Sequence, residues 1–82
     1  MGVPNWPGGD TGVVIGIGYD LGSRTRYELL RDWRGLLPRR VLAHLARACG
    51  KRGLQAARII RFYRNIEVPY DAAVTVWRAA RR

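Results

Sequence analysis

The sequence is poor in the residues that build disulfides and metal centres. Cys49 is its only cysteine and His44 its only histidine. An internal disulfide, a cysteine-based metal site and a histidine cluster are therefore excluded, and we expect no metal or other cofactor. No apolar stretch approaches the roughly 18 residues that a membrane span requires. Residues 1–5 lack the basic start and apolar run of a secretory signal, so we expect synthesis in the cytoplasm.

Acidic residues are scarce and unevenly placed. Six Asp and Glu oppose fifteen Lys and Arg, for a net charge of +9. Residues 1–22 carry two acids and no basic residue, whereas residues 23–82 carry all fifteen basic residues against four acids. Such a positive region can attract nucleic acid, anionic lipid or an anionic cell wall. All but one of the basic residues are Arg, a bias that a GC-rich coding sequence would also produce.

The composition is that of one small folded domain. Of the 82 residues, 48% are hydrophobic, and three Trp, four Tyr and one Phe supply bulky core material. This is not a disordered composition, and the length allows only a small core. We expect a single domain with a loop and β-hairpin in residues 1–22 and a basic helical part in residues 23–82.

The glycine-rich stretch 12–22 organises the chain. Read with the period of a strand, it gives an apolar row (Val13, Ile15, Ile17, Tyr19 and Leu21) and an opposite row that is bare in its middle (Val14, Gly16, Gly18 and Asp20). A bare row is typical of a bend or of a close approach to the backbone, and it resembles the wall of a binding groove. The alternative is a tight hairpin with glycines at its turn. A reversal at residues 16–18 would place Val14 beside Asp20, and we predict that hairpin.

Residues 6–22 carry a family resemblance. Trp6-Pro7-Gly8-Gly9, followed by Gly12-Val13-Val14-Ile15-Gly16-Ile17-Gly18-Tyr19-Asp20-Leu21-Gly22, resembles the hairpin of the lysozyme-like muramidases related to phage lysozyme and to the bacteriocin pesticin. A weaker likeness continues through Leu37-Pro38 and through residues 66–73. The resemblance implies a glycoside hydrolase that cleaves the glycan strand of peptidoglycan, with delivery to the cell wall.

The same resemblance assigns roles to residues of the hairpin. Asp20 matches the catalytic aspartate, and the glycan would lie along Gly16, Gly18 and Tyr19. Trp6 has two readings, as a side chain packed beneath the hairpin or as a platform on which a sugar stacks.

Two departures from the family pattern weaken the case for catalysis. Val14 stands where the family has a threonine whose hydroxyl helps to hold the attacking water. The family's acid is a glutamate on a helix upstream of the hairpin, but none of the eleven residues before Gly12 is Glu. We therefore expect a truncated lysozyme-like domain that is inactive alone. The alternatives are a non-catalytic cationic module for nucleic acid or anionic wall polymer, and a diverged pseudo-enzyme that binds a partner.

Four helices are predicted after the hairpin, over residues 26–34, 39–49, 54–64 and 69–81, with an extended segment over 65–68. Ser23 or Thr25 would cap the first helix. Its apolar stripe would contain Tyr27, Leu30, Leu29 and Trp33, and the last helix would be anchored by Ala73, Val74 and Trp77. Glu28 and Asp32 would lie on a solvated face, and His44 would be structural or on the surface. The predicted fold class is α+β, mostly α, and lysozyme-like but incomplete.

Overall fold

The computed structural model describes residues 2–81. Within them lie two short strands, β1 (Val14–Ile15) and β2 (Tyr19–Asp20), and four α-helices, α1 (Arg26–Trp33), α2 (Arg39–Ala46), α3 (Leu54–Ile59) and α4 (Tyr70–Ala80). Two 3-10 turns, Leu21–Ser23 and Ile60–Tyr63, follow β2 and α3. The predicted class, α+β and mostly helical with a hairpin before the helices, is confirmed. No helix within residues 2–81 is long and apolar enough to cross a membrane.

The hairpin forms with the predicted reversal. Strands β1 and β2 are antiparallel, with Val14 opposite Asp20 and Ile15 opposite Tyr19. Gly16 and Gly18 flank the turn with φ of +57° and +67°, a left-handed backbone that other residues adopt only at a cost. The predicted apolar row is buried except at Ile17, which is 36% exposed. Ile17 departs from the row because it lies at the tip of the turn, beyond the reach of the core.

A capping box starts α1. The Thr25 hydroxyl accepts a hydrogen bond from the Glu28 amide at 3.1 Å, and the Glu28 carboxylate accepts one from the Thr25 amide at 2.9 Å. This reciprocal pair satisfies two amides that a helix start otherwise leaves without partners. The predicted start of the helix, with Thr25 as one of two possible caps, is confirmed.

The apolar stripe of α1 is narrower than predicted. Leu29 and Trp33 are fully buried, whereas Tyr27 is 72% exposed and Leu30 is also exposed. Leu29 and Trp33 lie four residues apart, so their side chains are neighbours on the same face of the helix, one turn apart. The rings of Trp33 and Tyr19 meet in an edge-to-face arrangement at a centroid distance of 5.6 Å. The helix thus packs on the hairpin, and its other apolar side chains remain at the surface.

The later helices differ from the predictions at their ends. Helix α2 stops at Ala46, and the next amides bond to carbonyls only three residues back as the chain tightens toward Gly50. The third predicted helix divides into α3 and a 3-10 turn. In α4 the buried side chains are Ala72, Ala73 and Val76, while Trp77 is exposed. Of the three predicted anchors, Ala73 is confirmed, Val74 is half-buried and Trp77 is wrong, because the buried face of α4 is rotated by one position.

The segment after α2 ties the helical part to the hairpin. The Gly50 amide donates to the Leu21 carbonyl at 2.9 Å, and the Gly53 amide donates to the Thr11 carbonyl at 2.9 Å. Arg52 adds a hydrogen bond from its Nε to the Asp10 carbonyl at 3.1 Å. The bonds to Thr11 and Asp10 hold the loop before the hairpin against residues 50–53, and the bond to Leu21 holds the residue that follows β2. They supply partners for backbone groups that the two-residue strands cannot pair themselves.

Candidate functional site

Asp20 occupies the end of β2 and is half-buried. Its Oδ1 accepts hydrogen bonds from the Gly22 amide at 2.8 Å and from the Gly12 amide at 3.0 Å. The first bond caps the 3-10 turn that begins at Leu21. Among residues 2–81, no hydrogen bond reaches the second carboxylate oxygen, Oδ2. One oxygen of the predicted catalytic group therefore holds the hairpin together, and the other remains open to a ligand.

Val14 lies directly across from Asp20 on the neighbouring strand. On its other side Val14 pairs with Asn5, with amide-to-carbonyl bonds of 2.7 and 3.0 Å. Its side chain is half-buried, and as an aliphatic group it can neither donate nor accept a hydrogen bond. The predicted adjacency of Val14 and Asp20 is confirmed, and it puts an apolar surface where a water-holding hydroxyl would be needed.

Gly16 and Gly18 differ in how much space surrounds them. A Cβ placed on Gly16 would lie 3.0 Å from Cη2 of Trp33 and 3.2 Å from Cβ of Ala73, whereas a Cβ on Gly18 would meet nothing within 4 Å. The bare face at Gly16 is thus covered by the protein's own helices. Only Gly18 presents the open backbone that the sequence predicts for both positions.

A groove runs between the hairpin tip and α4, with a volume of about 390 Å³. We call it the hairpin groove. Its walls include Gly18 and Tyr19 from the hairpin, Arg24 from the segment that follows it, and Trp77 and Arg81 from α4. Two of the predicted substrate-binding residues therefore border a cavity, together with an indole ring and two guanidinium groups.

Tyr19 borders the hairpin groove, but its hydroxyl is already engaged. It donates to Oδ2 of Asp32 at 2.6 Å, and the Arg24 guanidinium carbon lies 4.5 Å from the centre of its ring. Burial raises the pKa of the Tyr19 phenol well above its ordinary value, and the hydrogen bond and negative charge of Asp32 raise it further. Tyr19 therefore stays neutral and serves as a packed aromatic surface.

Trp6 lies apart from the hairpin groove. Its indole nitrogen donates to the Thr11 carbonyl at 3.0 Å, and its half-buried ring packs against the core. Of the two readings of Trp6, the packed one agrees with these contacts, and the sugar-stacking one stays a prediction. Trp6, Gly18 and Asp20 do not line a common cavity among the described residues.

Four of the other acids are engaged away from Asp20. Glu28 belongs to the capping box of α1, and Asp32 is bound by Tyr19 and by Arg31. The Asp10 carboxylate lies 3.6 Å from Arg52, and Asp71 accepts from the Ala72 amide at the start of α4. Glu28 and Asp32 were predicted to lie on a solvated face. Both are instead half-buried, and both carboxylates accept hydrogen bonds. Within residues 2–81, no group of three or more His, Cys, Asp and Glu side chains could hold a metal ion.

A second cavity was not predicted from the sequence. It encloses about 500 Å³ and brings together Arg26, His44, Arg47 and Lys51 with aromatic side chains of the 3-10 turn 60–63. We call it the basic pocket. His44 on α2 and Arg47, just after its last residue, lie three positions apart, and this spacing was the sequence signal for the pocket. The sequence did not reveal that α1 and the 3-10 turn would close around that face.

Comparison with family models, with curated proteins and with solved structures found no match to this chain. The resemblance of residues 6–22 to the lysozyme-like muramidases therefore stays a prediction that depends on the hairpin sequence.

Proposed function

We propose that this chain carries the hairpin part of a lysozyme-like, peptidoglycan-cleaving glycoside hydrolase. The observation that supports the proposal most directly is the strand register that sets position 14 beside Asp20, as the resemblance of residues 6–22 requires. The hairpin groove, which Asp20 does not line, adds exposed backbone at Gly18 and the ring of Trp77 as surfaces on which a sugar chain can lie.

In this proposal Asp20 supplies one of the two carboxyl groups that glycoside hydrolysis needs. Its free Oδ2 would activate water or stabilise the positive charge that grows on the sugar in the transition state. The two amides on Oδ1 hold the carboxylate in place while this happens. A protonated carboxyl group must also donate to the leaving oxygen. Glu28, Asp32, Asp10 and Asp71 are engaged elsewhere, and Glu67 is exposed on the segment between the 3-10 turn 60–63 and α4. We therefore propose that the acid comes from outside these residues and that the chain alone does not cleave.

A turbidity assay on a cell-wall suspension tests this proposal with four proteins. The first two are the unmodified chain and its Val14→Thr variant, neither of which should clear the suspension above background. The other two are the same proteins joined to an upstream helix that bears a glutamate. Both should clear it, and the threonine version should do so faster because its hydroxyl can orient water.

Asp20→Asn in the clearing protein is the matched control, since it keeps an acceptor for both amides and removes the charge. It should abolish clearing while leaving the melting temperature nearly unchanged. Clearing by the unmodified chain that Asp20→Asn removes would show that the acid lies within these residues. Absence of clearing from all four proteins would count against the lysozyme-like function itself.

A second candidate function is a non-catalytic cationic module, and one observation favours it. Within residues 2–81, ion pairs join only Arg31 to Asp32 and Arg52 to Asp10, so most of the positive charge is left for an external polyanion. Titration with duplex DNA and with peptidoglycan sacculi at two salt concentrations separates the candidates. DNA binding that is independent of sequence and falls steeply with salt would favour the module. Binding to sacculi that persists at the higher salt would favour the hydrolase.

A further inference from the structure

The basic pocket combines positive charge from three separate segments. Arg26 is the first residue of α1, Arg47 follows the last residue of α2, and Lys51 follows the turn at Gly50. No carboxylate among residues 2–81 forms an ion pair with any of the three. Three like charges that converge without an ion-paired carboxylate repel one another. A fold that holds them together gains when an anion enters.

The charges of Arg26 and Arg47 reach the groups around the pocket. Burial raises the pKa of the Tyr63 phenol, and the positive charge of Arg47 acts against that rise. Burial likewise raises the pKa of the Cys49 thiol, and Arg26 opposes it. The positive charges of both arginines therefore favour an anion in or beside the basic pocket. Glu28, which acts on Cys49 in the other sense, is held at the start of α1 by its capping bonds.

One wall of the pocket is a fixed aromatic frame. The rings of His44 and Tyr63 lie 4.4 Å apart at an angle of 32°. The Tyr63 hydroxyl donates to the His44 carbonyl at 3.1 Å, and His44 Nε2 lies 2.9 Å from the Phe62 carbonyl. Because a carbonyl can only accept, Nε2 carries the proton in this contact. These bonds join α2 to the 3-10 turn and hold the two rings in place in this wall of the pocket.

Phe62 supplies the exposed aromatic surface of the pocket. Its side chain is 57% exposed, although it is apolar and neighbours the fully packed Tyr63. Arg61 places its guanidinium carbon 5.0 Å from the centre of the Phe62 ring. An exposed phenyl ring beside several cations is the combination that holds a phosphate and a flat ring together in nucleotide-binding surfaces.

We propose that the basic pocket binds a small phosphorylated ligand, with its phosphate against Arg26, Arg47 and Lys51 and its ring against Phe62. A phosphate monoester suits the site better than a carboxylate, because it carries nearly two negative charges and offers three acceptor oxygens to guanidinium forks. The volume of about 500 Å³ suits a single small molecule and not a polymer groove. Nucleoside monophosphates and sugar phosphates share this chemistry, and they differ in the ring they bring to Phe62.

Isothermal titration calorimetry with four probes tests the site. The probes are AMP, glucose 6-phosphate, inorganic phosphate and adenosine. AMP and glucose 6-phosphate should bind more tightly than inorganic phosphate, and adenosine should bind weakest because it has no charge. AMP tighter than glucose 6-phosphate identifies a flat base as the preferred ring, and the reverse order identifies a sugar. Absence of binding for both at millimolar concentration would overturn the proposal.

Paired charge variants separate a built site from general attraction to a basic protein. Arg47→Gln with Lys51→Gln should weaken AMP binding by about tenfold or more, the effect of losing charge-assisted hydrogen bonds. Arg58→Gln with Arg64→Gln removes the same charge from exposed positions outside the pocket and should change the affinity less than about twofold. Equal losses in the two double variants would overturn the proposal.

Phe62→Ala tests the aromatic contact on its own. It should weaken AMP binding and leave inorganic phosphate binding unchanged, since phosphate alone does not touch the ring. Backbone NMR spectra during the AMP titration should show the largest shifts at residues 44–51 and 60–63. An unchanged AMP affinity in Phe62→Ala, or shifts confined to other residues, would show that the ligand is not held as proposed.

Discussion

The hairpin region and the basic pocket differ in whether the fold supplies partners for their polar groups. In the hairpin, the Asp20 carboxylate is bound by two backbone amides and the Tyr19 hydroxyl is bound by Asp32. In the basic pocket, Arg26, Arg47 and Lys51 converge with no ion-paired carboxylate among residues 2–81. Polar groups that the fold satisfies internally contribute to stability, while charges left without partners are available for a ligand. The residues that carry the family resemblance are thus also structural residues.

Mutations in the two regions should therefore differ in their effect on stability. Substitutions in the hairpin region and in the helix beneath it should lower the free energy of unfolding, because they remove packing or internal hydrogen bonds. Substitutions of Arg26, Arg47, Lys51 or Phe62 in the basic pocket should leave that free energy nearly unchanged, because these side chains are exposed or half-exposed. A domain of 82 residues has only a small reserve of stability, so the contrast should be easy to measure.

Trp33→Ala should have the largest effect. Trp33 is fully buried between the hairpin and α4, and truncation of a buried aromatic residue costs about 3–5 kcal/mol. Such a loss could consume most of the stability of this domain. Phe62→Ala, an aromatic truncation in the basic pocket, is the control and should cost about 1 kcal/mol or less. Urea unfolding followed by circular dichroism measures both, and similar costs would show that the two regions do not differ in their contribution to stability.

The hairpin was the most predictable part of the fold. Its two rows follow from the strand period, and its turn follows from Gly16 and Gly18, since both cues are local in sequence. The start of α1 was also predictable, because Thr25 and Glu28 form a capping box within four residues. Bonds of this kind join residues a few positions apart, so a short segment of the sequence is enough to predict them.

Features that depend on distant residues were predicted less well. Which of Leu30 and Leu29 faces the core is decided by where Trp33 meets Tyr19, a contact across fourteen positions. Contacts with distant residues likewise decide that Val76, and not Trp77, is buried in α4. The internal covering of Gly16 required the position of Ala73, and the basic pocket required the packing of α1 beside α2 and the 3-10 turn. These contacts have no signature in the local hydrophobic pattern.

Gly12→Ala tests how tightly the hairpin ends are packed. A methyl group at Gly12 would collide with the backbone of Gly22 and with Oδ1 of Asp20. Backbone atoms there cannot move aside without breaking the bonds to Asp20, so we expect a cost of about 1–3 kcal/mol. Gly2→Ala is the matched control because a methyl group there meets nothing within 4 Å. Equal melting temperatures for the two variants would show that the hairpin ends are loosely held.

Asp20→Ala and Asp20→Asn together measure the structural role of the carboxylate. Alanine leaves the buried amides of Gly12 and Gly22 without an acceptor, which should cost about 1–3 kcal/mol. Asparagine keeps a carbonyl oxygen at the position of Oδ1 and should leave the stability nearly unchanged. Thermal unfolding by calorimetry compares the two, with Arg47→Ala as a basic-pocket control that should be nearly neutral. An equal loss for alanine and asparagine would mean that the negative charge, and not the acceptor position, stabilises the turn.

Tyr19→Phe should have the smallest effect at neutral pH and a distinct one in alkali. The lost bond to Asp32 should cost about 1 kcal/mol. In the folded protein the pKa of Tyr19 is raised by burial and by Asp32, whereas in the unfolded chain the phenol ionises near pH 10. The stability that this shift provides is complete below the unfolded pKa, and it is lost as the pH rises above it because only the unfolded state then releases its proton. The melting temperature of the unmodified protein should therefore fall above about pH 10, and Tyr19→Phe should fall less steeply. Tyr27→Phe, at an exposed position of α1, should follow the unmodified protein. If Tyr19→Phe shows the same alkaline slope, the phenol is not held neutral by its surroundings, and the hairpin region is more open than its hydrogen bonds indicate.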